Sequence, residues 1–243
     1  MDDTRTPLTG PGFPGGTGLS RLKVYDWPAP DGLVGGSPHL HTVSTEGYVV
    51  LSGQGRVQTI TANDGFVEHA LSPGTVRWFS PGTVHRLVND SGDLELIVVM
   101  SNAGLPEHGD AVLTFPAEHL VSREAYQAAA ALPEGDQATR EAAARARRDL
   151  ALEGYAEIRE GGDEAYAAFL SAAAALVADR TEEWAGLIDA GPAAQVADSR
   201  AQLAALAAGD ADALTGGWVR SLDPTSALGM CGHLTTWDLI PRG

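Results

Sequence analysis

From Leu22 to about Phe115 the chain is cut into short β-rich runs roughly ten residues apart, and this punctuation limits its architecture more than any other feature. The runs are LKVYDW, GYVVLSG, RVQTI, FVEHAL, TVRWF, TVHRLV and LELIVVM, and the separators include SGQG, ANDG, SPG and NDSGD. Gly, Pro, Asn and Asp supply the backbone conformations of tight turns, each for its own steric reason. Many short strands at even spacing fold as a sandwich or a barrel.

After Pro116 the character changes. In AYAAFLSAAAALVADR and the following EEWAGLI the larger apolar residues, Tyr166, Phe169, Leu170, Leu176, Val177, Trp184, Leu187 and Ile188, recur at steps of three and four. That is the amphipathic helix period. QATREAAARARRDLALEGYAEIRE reads as another helix, and PAAQVADSRAQLAALAAG as a third, with Pro192 near its start and Gly209 past its end. CGHLTTWDLI returns to β-like composition and predicts a strand that rejoins the barrel. Alanine-rich helices offer little apolar area per residue, so they are expected to lie against the barrel rather than stand alone. The expected organisation is a flexible leader over 1–19, a β-barrel over 20–118 and an Ala-rich helical region over 119–243, α+β overall.

Within PHLHTVSTEGYVVLSG, His39 and His41 are two residues apart, so on a strand both imidazoles face one way. Glu46 is an odd step beyond His41, and TVST must bend the chain if all three are to converge. Glu46 would then open the next strand, with Tyr48 and Val50 on its side of the pleat. His85 follows a Pro-Gly turn in SPGTVHRLVND. Three imidazoles and a carboxylate suit one divalent first-row ion (Fe, Mn, Ni, Co, Cu or Zn) better than calcium or magnesium, which prefer oxygen ligands.

These residues resemble the two motifs of the cupins. His39, His41, Glu46 and Gly53 match the first, HxH, four residues, Glu, six residues, Gly; Gly74, Gly82, His85 and Asn89 match the second, with Ser80 where proline is usual. The resemblance covers roughly residues 20–115 and leaves the helical half unaddressed. It implies a jelly-roll barrel with His39, His41, Glu46 and His85 as metal ligands, and a small-molecule substrate or ligand. Cupins include dioxygenases, sugar isomerases and epimerases, decarboxylases and non-catalytic binding proteins, so fold and ligand set do not choose the chemistry. The reading favoured here is a metal-dependent cupin acting on a small oxygenated metabolite, with dioxygenase chemistry ahead of isomerisation or epimerisation. A non-catalytic binding cupin, dimerised through its helical half, is the competing class.

Glu46 and Tyr48 are the candidate catalytic groups, although a core position at the barrel wall explains a tyrosine there better. Gln58, Arg77 and Trp78 lie on strands whose facing is open. His69, His108 and His119 belong to no motif. Cys231 and His233, in MCGH, have a chelating look but no further partners, and a buried thiol beside a strand histidine accounts for them more simply.

The formal net charge of −16, with 6 basic against 13 acidic residues through 118 and 10 against 19 beyond, opposes binding to nucleic acid or anionic membranes. A single cysteine excludes an intrachain disulfide, and no apolar run is long enough to span a bilayer. With no cationic and apolar leader at the start, a cytoplasmic location is expected. GPGFPGGTG lacks the Lys-Ser/Thr ending of a phosphate loop, and no GxSxG elbow is present.

Overall fold

A computed structural model describes residues 12–239; the first eleven residues of the expected leader, and Ile240, fall outside this range. Eleven strands form two antiparallel sheets among the described residues. They are β1 (Gly18–Val24), β2 (His39–His41), β3 (Glu46–Ser52), β4 (Gly55–Thr61), β5 (Gly65–Leu71), β6 (Val76–Phe79), β7 (Val84–Asn89), β8 (Glu95–Met100), β9 (Ala111–Leu113), β10 (Thr225–Leu228) and β11 (Gly232–Thr236). One sheet runs β10-β11-β1-β8-β3-β6 and the other β5-β4-β7-β2-β9. The jelly-roll expectation holds.

The C-terminal hairpin joins the first sheet. β11 pairs with β1 from Ser20 opposite Thr236 to Val24 opposite Gly232, so chain ends more than 200 residues apart share one ladder. The inward faces of β1, β3 and β8 bury Leu22, Val24, Tyr48, Val50, Leu96 and Val98 against Val57 and Leu87 of the opposing sheet. Alternate residues along β3 and β8 are buried, as a sheet with one packed face requires.

Among the described residues the α-helices are α1 (Arg123–Ala130), α2 (Gln137–Val177), α3 (Thr181–Ile188) and α4 (Ala194–Ala207), of which α2 packs against β4 and β5 of the second sheet. The segments expected as separate helices are nearly continuous. Gly162, at φ 61 and ψ −143, breaks α2 at the junction between two of them. Pro192 does not start α4 but lies in a π-helical turn, Asp189–Ala193, just before it; a proline has no N–H for the regular ladder, and the wider turn accommodates the loss. Gly209, at φ 73, follows the C-terminus of α4 as expected.

The inner stripe of α2 packs directly on the barrel. Ala151, Leu152, Tyr155, Ile158, Tyr166 and Phe169 share one core with Leu40, Ile60, Val84, Val112, Leu113 and Phe115. Arg148 is 2% exposed, and its guanidinium donates to the carbonyls of Trp27 and Pro28, both at 2.9 Å. The closest approach is at Gly154, where a Cβ would stand 2.3 Å from the Thr114 carbonyl oxygen. Both neighbours there are backbone and cannot rotate away. Gly154→Ala should therefore destabilise the fold by about 1–3 kcal/mol, despite alanine's higher helix propensity. A denaturant midpoint equal to or above that of the parent chain would refute this contact.

Candidate metal centre

β2 and β7 lie side by side in the second sheet, with His39 directly opposite His85. His41 follows on the same face of β2. Glu46 opens β3 in the other sheet, so the four side chains meet between the two layers. All are at most 7% exposed, and their ligand atoms lie within 4.8 Å of one another.

Each imidazole is fixed by a partner at Nδ1, which leaves Nε2 for the centre. His39 Nδ1 donates to the Ser37 carbonyl at 3.0 Å and His85 Nδ1 to the Thr83 carbonyl at 3.1 Å. Carbonyl oxygens only accept, so these two tautomers are settled by chemistry. His41 Nδ1 donates to Asp110 at 3.2 Å.

Asp110 also shapes the bend that brings Glu46 into position. Its carboxylate accepts from the backbone N–H of Thr42 at 3.0 Å, Val43 at 2.7 Å and Ser44 at 3.1 Å, and from the Thr42 hydroxyl at 2.7 Å. One fully buried side chain thus folds the TVST segment and orients a ligand beside it. The carboxylate stays ionised: burial works against its charge, but the hydrogen bonds from His41 and Thr42 outweigh this and hold its pKa well below the usual range. Sequence reasoning missed Asp110, which carries no motif and no periodic signal.

The electrostatics are those of a site awaiting a cation. Oε2 of Glu46 lies 3.0 Å from Nε2 of His85 and 3.3 Å from Nε2 of His41. Yet Glu46 Oε2 and His85 Nε2 are buried atoms without a hydrogen-bond partner, because with the His85 proton on Nδ1 they face each other as two acceptors. Burial, reinforced by its two histidine neighbours, depresses the pKa of His39 well below the ordinary imidazole value. For Glu46 burial favours the neutral acid, but His85 and His41 reverse this and keep the carboxylate charged. A neutral His39 and an ionised Glu46 are in the protonation state a metal ligand needs, whereas His41 carries a proton that an ion would displace. The residues present fit a divalent transition ion.

Tyr48 is 1% exposed and packs edge-on to Phe79 in the apolar core; its hydroxyl lacks a hydrogen-bond partner. Of the strand residues with open facing, none lines the cavity beside the cluster. Gln58 is buried and donates to Glu68, Arg77 is half-buried, and Trp78 is 71% exposed on the outer face of β6. His69 pairs with Thr59, His108 with the Gly104 carbonyl, and His119 rests against Phe115. Cys231 is buried with Sγ 3.9 Å from Nδ1 of His39, while His233 packs edge-on to Tyr25 and Trp27, away from the cluster.

A cavity of about 310 Å³ opens over the cluster. Apart from the cluster residues, its wall is largely apolar, including Leu22, Val98, Met100, Met230 and Leu234. The C-terminal hairpin supplies a full side of it, through Leu228 to Cys231 and on to Leu239.

The family profile described as "Cupin domain" matches residues 29–100. No functionally curated protein matches the chain. Among similar solved structures, peruvianin-I, a cysteine peptidase from Thevetia peruviana latex, is 16% identical, with 34% of this chain and 49% of that one covered and a TM-score of 0.28. This chain therefore spans about half the length of peruvianin-I. An uncharacterised Klebsiella pneumoniae protein with a double-stranded β-helix domain is 16% identical over 41% of this chain and 84% of its own, at a TM-score of 0.29. The TDP-quinovose 3,4-ketoisomerase WlaRB from Campylobacter jejuni is 13% identical over 33% and 60%, at 0.28.

Proposed function

Since the chain is a member of the cupin superfamily, with its cupin domain matched over residues 29–100, we propose that it is a metal-dependent cupin acting on a small oxygenated metabolite, by dioxygenase-type chemistry. His39, His41, Glu46 and His85 would hold one divalent first-row ion. When bound, that ion supplies Lewis acidity and, if redox-active, one-electron chemistry toward dioxygen.

The observation that favours oxidation over isomerisation is the composition of the cavity wall. Isomerisation moves a proton and needs a group poised to take and return it. Apart from the four cluster residues, the titratable side chains among the described residues lining the cavity are Cys231, Arg147 and Glu107. Burial pushes the Cys231 thiol far up, arginine stays protonated, and Glu107 is exposed. The first two cannot take and return a proton at neutral pH, and the remaining carboxylate, Glu107, is solvent-exposed rather than enclosed with the cluster. Tyr48 is a weaker candidate as a catalytic group, because burial next to Glu46 raises its pKa well above the ordinary value and keeps it a neutral hydroxyl.

No helix among the described residues is long and apolar enough to cross a membrane. A cavity of about 310 Å³ is of a size to take a small molecule, which supports the proposed substrate class.

The test is direct. Iron-loaded protein screened with small hydroxy, oxo and enediol compounds should consume dioxygen in proportion to substrate. Isomer formation without oxygen uptake would favour the isomerase reading instead, and saturable binding without turnover the non-catalytic one. His41→Ala and His85→Ala should each lower metal content at least tenfold, because a chelate losing one ligand in four loses several kcal/mol of about 10 or more. Elemental analysis showing full occupancy in both would defeat the ligand assignment.

A pH dependence follows from His41. In the metal-free chain burial opposes its charge, but Asp110 and Glu46 outweigh burial and raise its pKa to about 9. An ion at Nε2 must displace that proton, so apparent affinity should rise up to about tenfold per unit as pH climbs toward 9, with close to one proton released per ion. The folding contribution has the opposite sign. A raised pKa stabilises the metal-free fold fully below the unfolded value of about 6.5, and that stability is lost as pH rises through about 9. Calorimetric titration in buffers of different ionisation enthalpy measures the proton release directly; equal affinity at pH 6 and pH 8 would contradict it.

A further inference from the structure

We infer that Arg147, on α2, is the anchor for an anionic group of the substrate, so that the cavity is built for a small carboxylate held between the metal cluster and a guanidinium. This rests on the metal-dependent reading of the same cavity and adds the charge of its ligand.

Arg147 lines the cavity that the cluster opens into. Two of its donors are used: Nη1 reaches the Ala130 carbonyl at 3.2 Å and Nη2 the Gly229 carbonyl at 3.1 Å. Nε is buried and has no hydrogen-bond partner. A guanidinium carries five N–H donors, so three have no partner among these bonds.

Its charge is equally unanswered. The two other arginines buried beside α2 and the second sheet each pair with a carboxylate, Arg86 with Asp31 and Arg148 with Asp149. Among the described residues, no acidic group lies within ion-pair distance of Arg147. The groups that surround it are Tyr25, Tyr126 and Cys231, all neutral at physiological pH. Cys231 in turn touches His39, which places the cation on the same side of the cavity as the cluster. Glu107 also lines the cavity but is exposed, where solvent screens it. A half-buried cation with no counter-ion carries a desolvation cost that an anionic ligand would offset. The metal cluster points the same way: a divalent ion with three neutral imidazoles and one carboxylate keeps a net positive charge.

A purely structural role is the alternative, since the two carbonyl bonds tie α2 to the end of α1 and to the turn of the C-terminal hairpin. The experiment separates the two. Protein loaded with zinc is titrated calorimetrically with malonate and with malonamide, and the ratio of their affinities is compared between the parent chain, Arg147→Lys and Arg147→Gln, with zinc content measured in each. The expected result is one zinc per chain in all three, with the malonate-to-malonamide ratio reduced at least tenfold by glutamine and less by lysine. A clasp alone would weaken both probes equally and leave the ratio within twofold, which would overturn the assignment. If the glutamine variant does not fold, a severalfold drop with lysine supports the anchor, and an unchanged ratio refutes it. A parent chain that takes up no zinc overturns the metal reading first, and is told apart from failure of the anchor by the metal analysis alone.

Discussion

Alanine at Asp110 should abolish metal retention without removing a single proposed ligand. The substitution leaves the backbone N–H groups of Val43 and Ser44 and Nδ1 of His41 without their acceptor, in a part of the fold where Asp110 itself has no solvent contact, while the Thr42 N–H and hydroxyl keep only the Asp110 backbone carbonyl, at 3.1 and 3.3 Å. Unsatisfied buried donors cost about 1–3 kcal/mol each, and loss of one member of a buried charged network about 3–5 kcal/mol in total. Metal content should fall at least tenfold as His41 loses its orientation, in keeping with the dependence of metal sites on the groups behind their ligands. Asp110→Asn should fall between the two, because its amide can accept at one oxygen only and places N–H donors against donors. Denaturant melts of metal-free protein, with elemental analysis, read both effects. Parent-like stability and parent-like metal content in Asp110→Ala would remove this residue from the site.

The second large effect concerns the proposed division of the chain into a barrel over 20–118 and a helical region over 119–243. Residues 1–118 expressed alone should aggregate or fail to hold metal. Truncation uncovers Leu40, Ile60, Val84, Val112, Leu113 and Phe115, which share their core with α2. It also strips β11 from β1, opening a sheet edge, and removes the hairpin side of the cavity. An unprotected edge next to exposed apolar surface is a template for association with other chains. A monomeric, metal-loaded fragment with an unchanged melting temperature would show the helices to be an independent appendage.

The barrel was legible in the sequence because turn residues and strand residues alternate on a fixed beat, and the cluster because HxH on a strand has one geometric meaning. Even the bend before Glu46 was legible, since the odd step from His41 forbids convergence on a straight strand. What creates the bend was not. Asp110 lies 69 residues from His41 in sequence, and a lone aspartate in HGDAV looks like any solvated turn residue. The continuity of the helices was not legible: the fold passes Gly162 with a kink, and Pro192, read as near a helix start, sits in a widened turn. The run RARR on α2 looks like an exposed charged face. A stricter reading of spacing would have found Arg148, four residues from both Ala144 and Leu152 on the buried stripe. Nothing local distinguishes Arg147 from its neighbours, because its proposed role depends on a hairpin that arrives 82 residues later.

That late hairpin sets an order of events in biosynthesis. All four cluster residues have been made once His85 leaves the ribosome, whereas Cys231, which closes over His39, follows 146 residues later. At about 5–20 residues per second the interval is about 7–30 s. For that time the nascent chain carries every proposed metal ligand while the wall beside them has not been synthesised. Because the barrel without its helices and hairpin is expected not to hold metal, lasting retention of an ion waits until the hairpin has been made, and the ion kept is the one that the enclosed site selects.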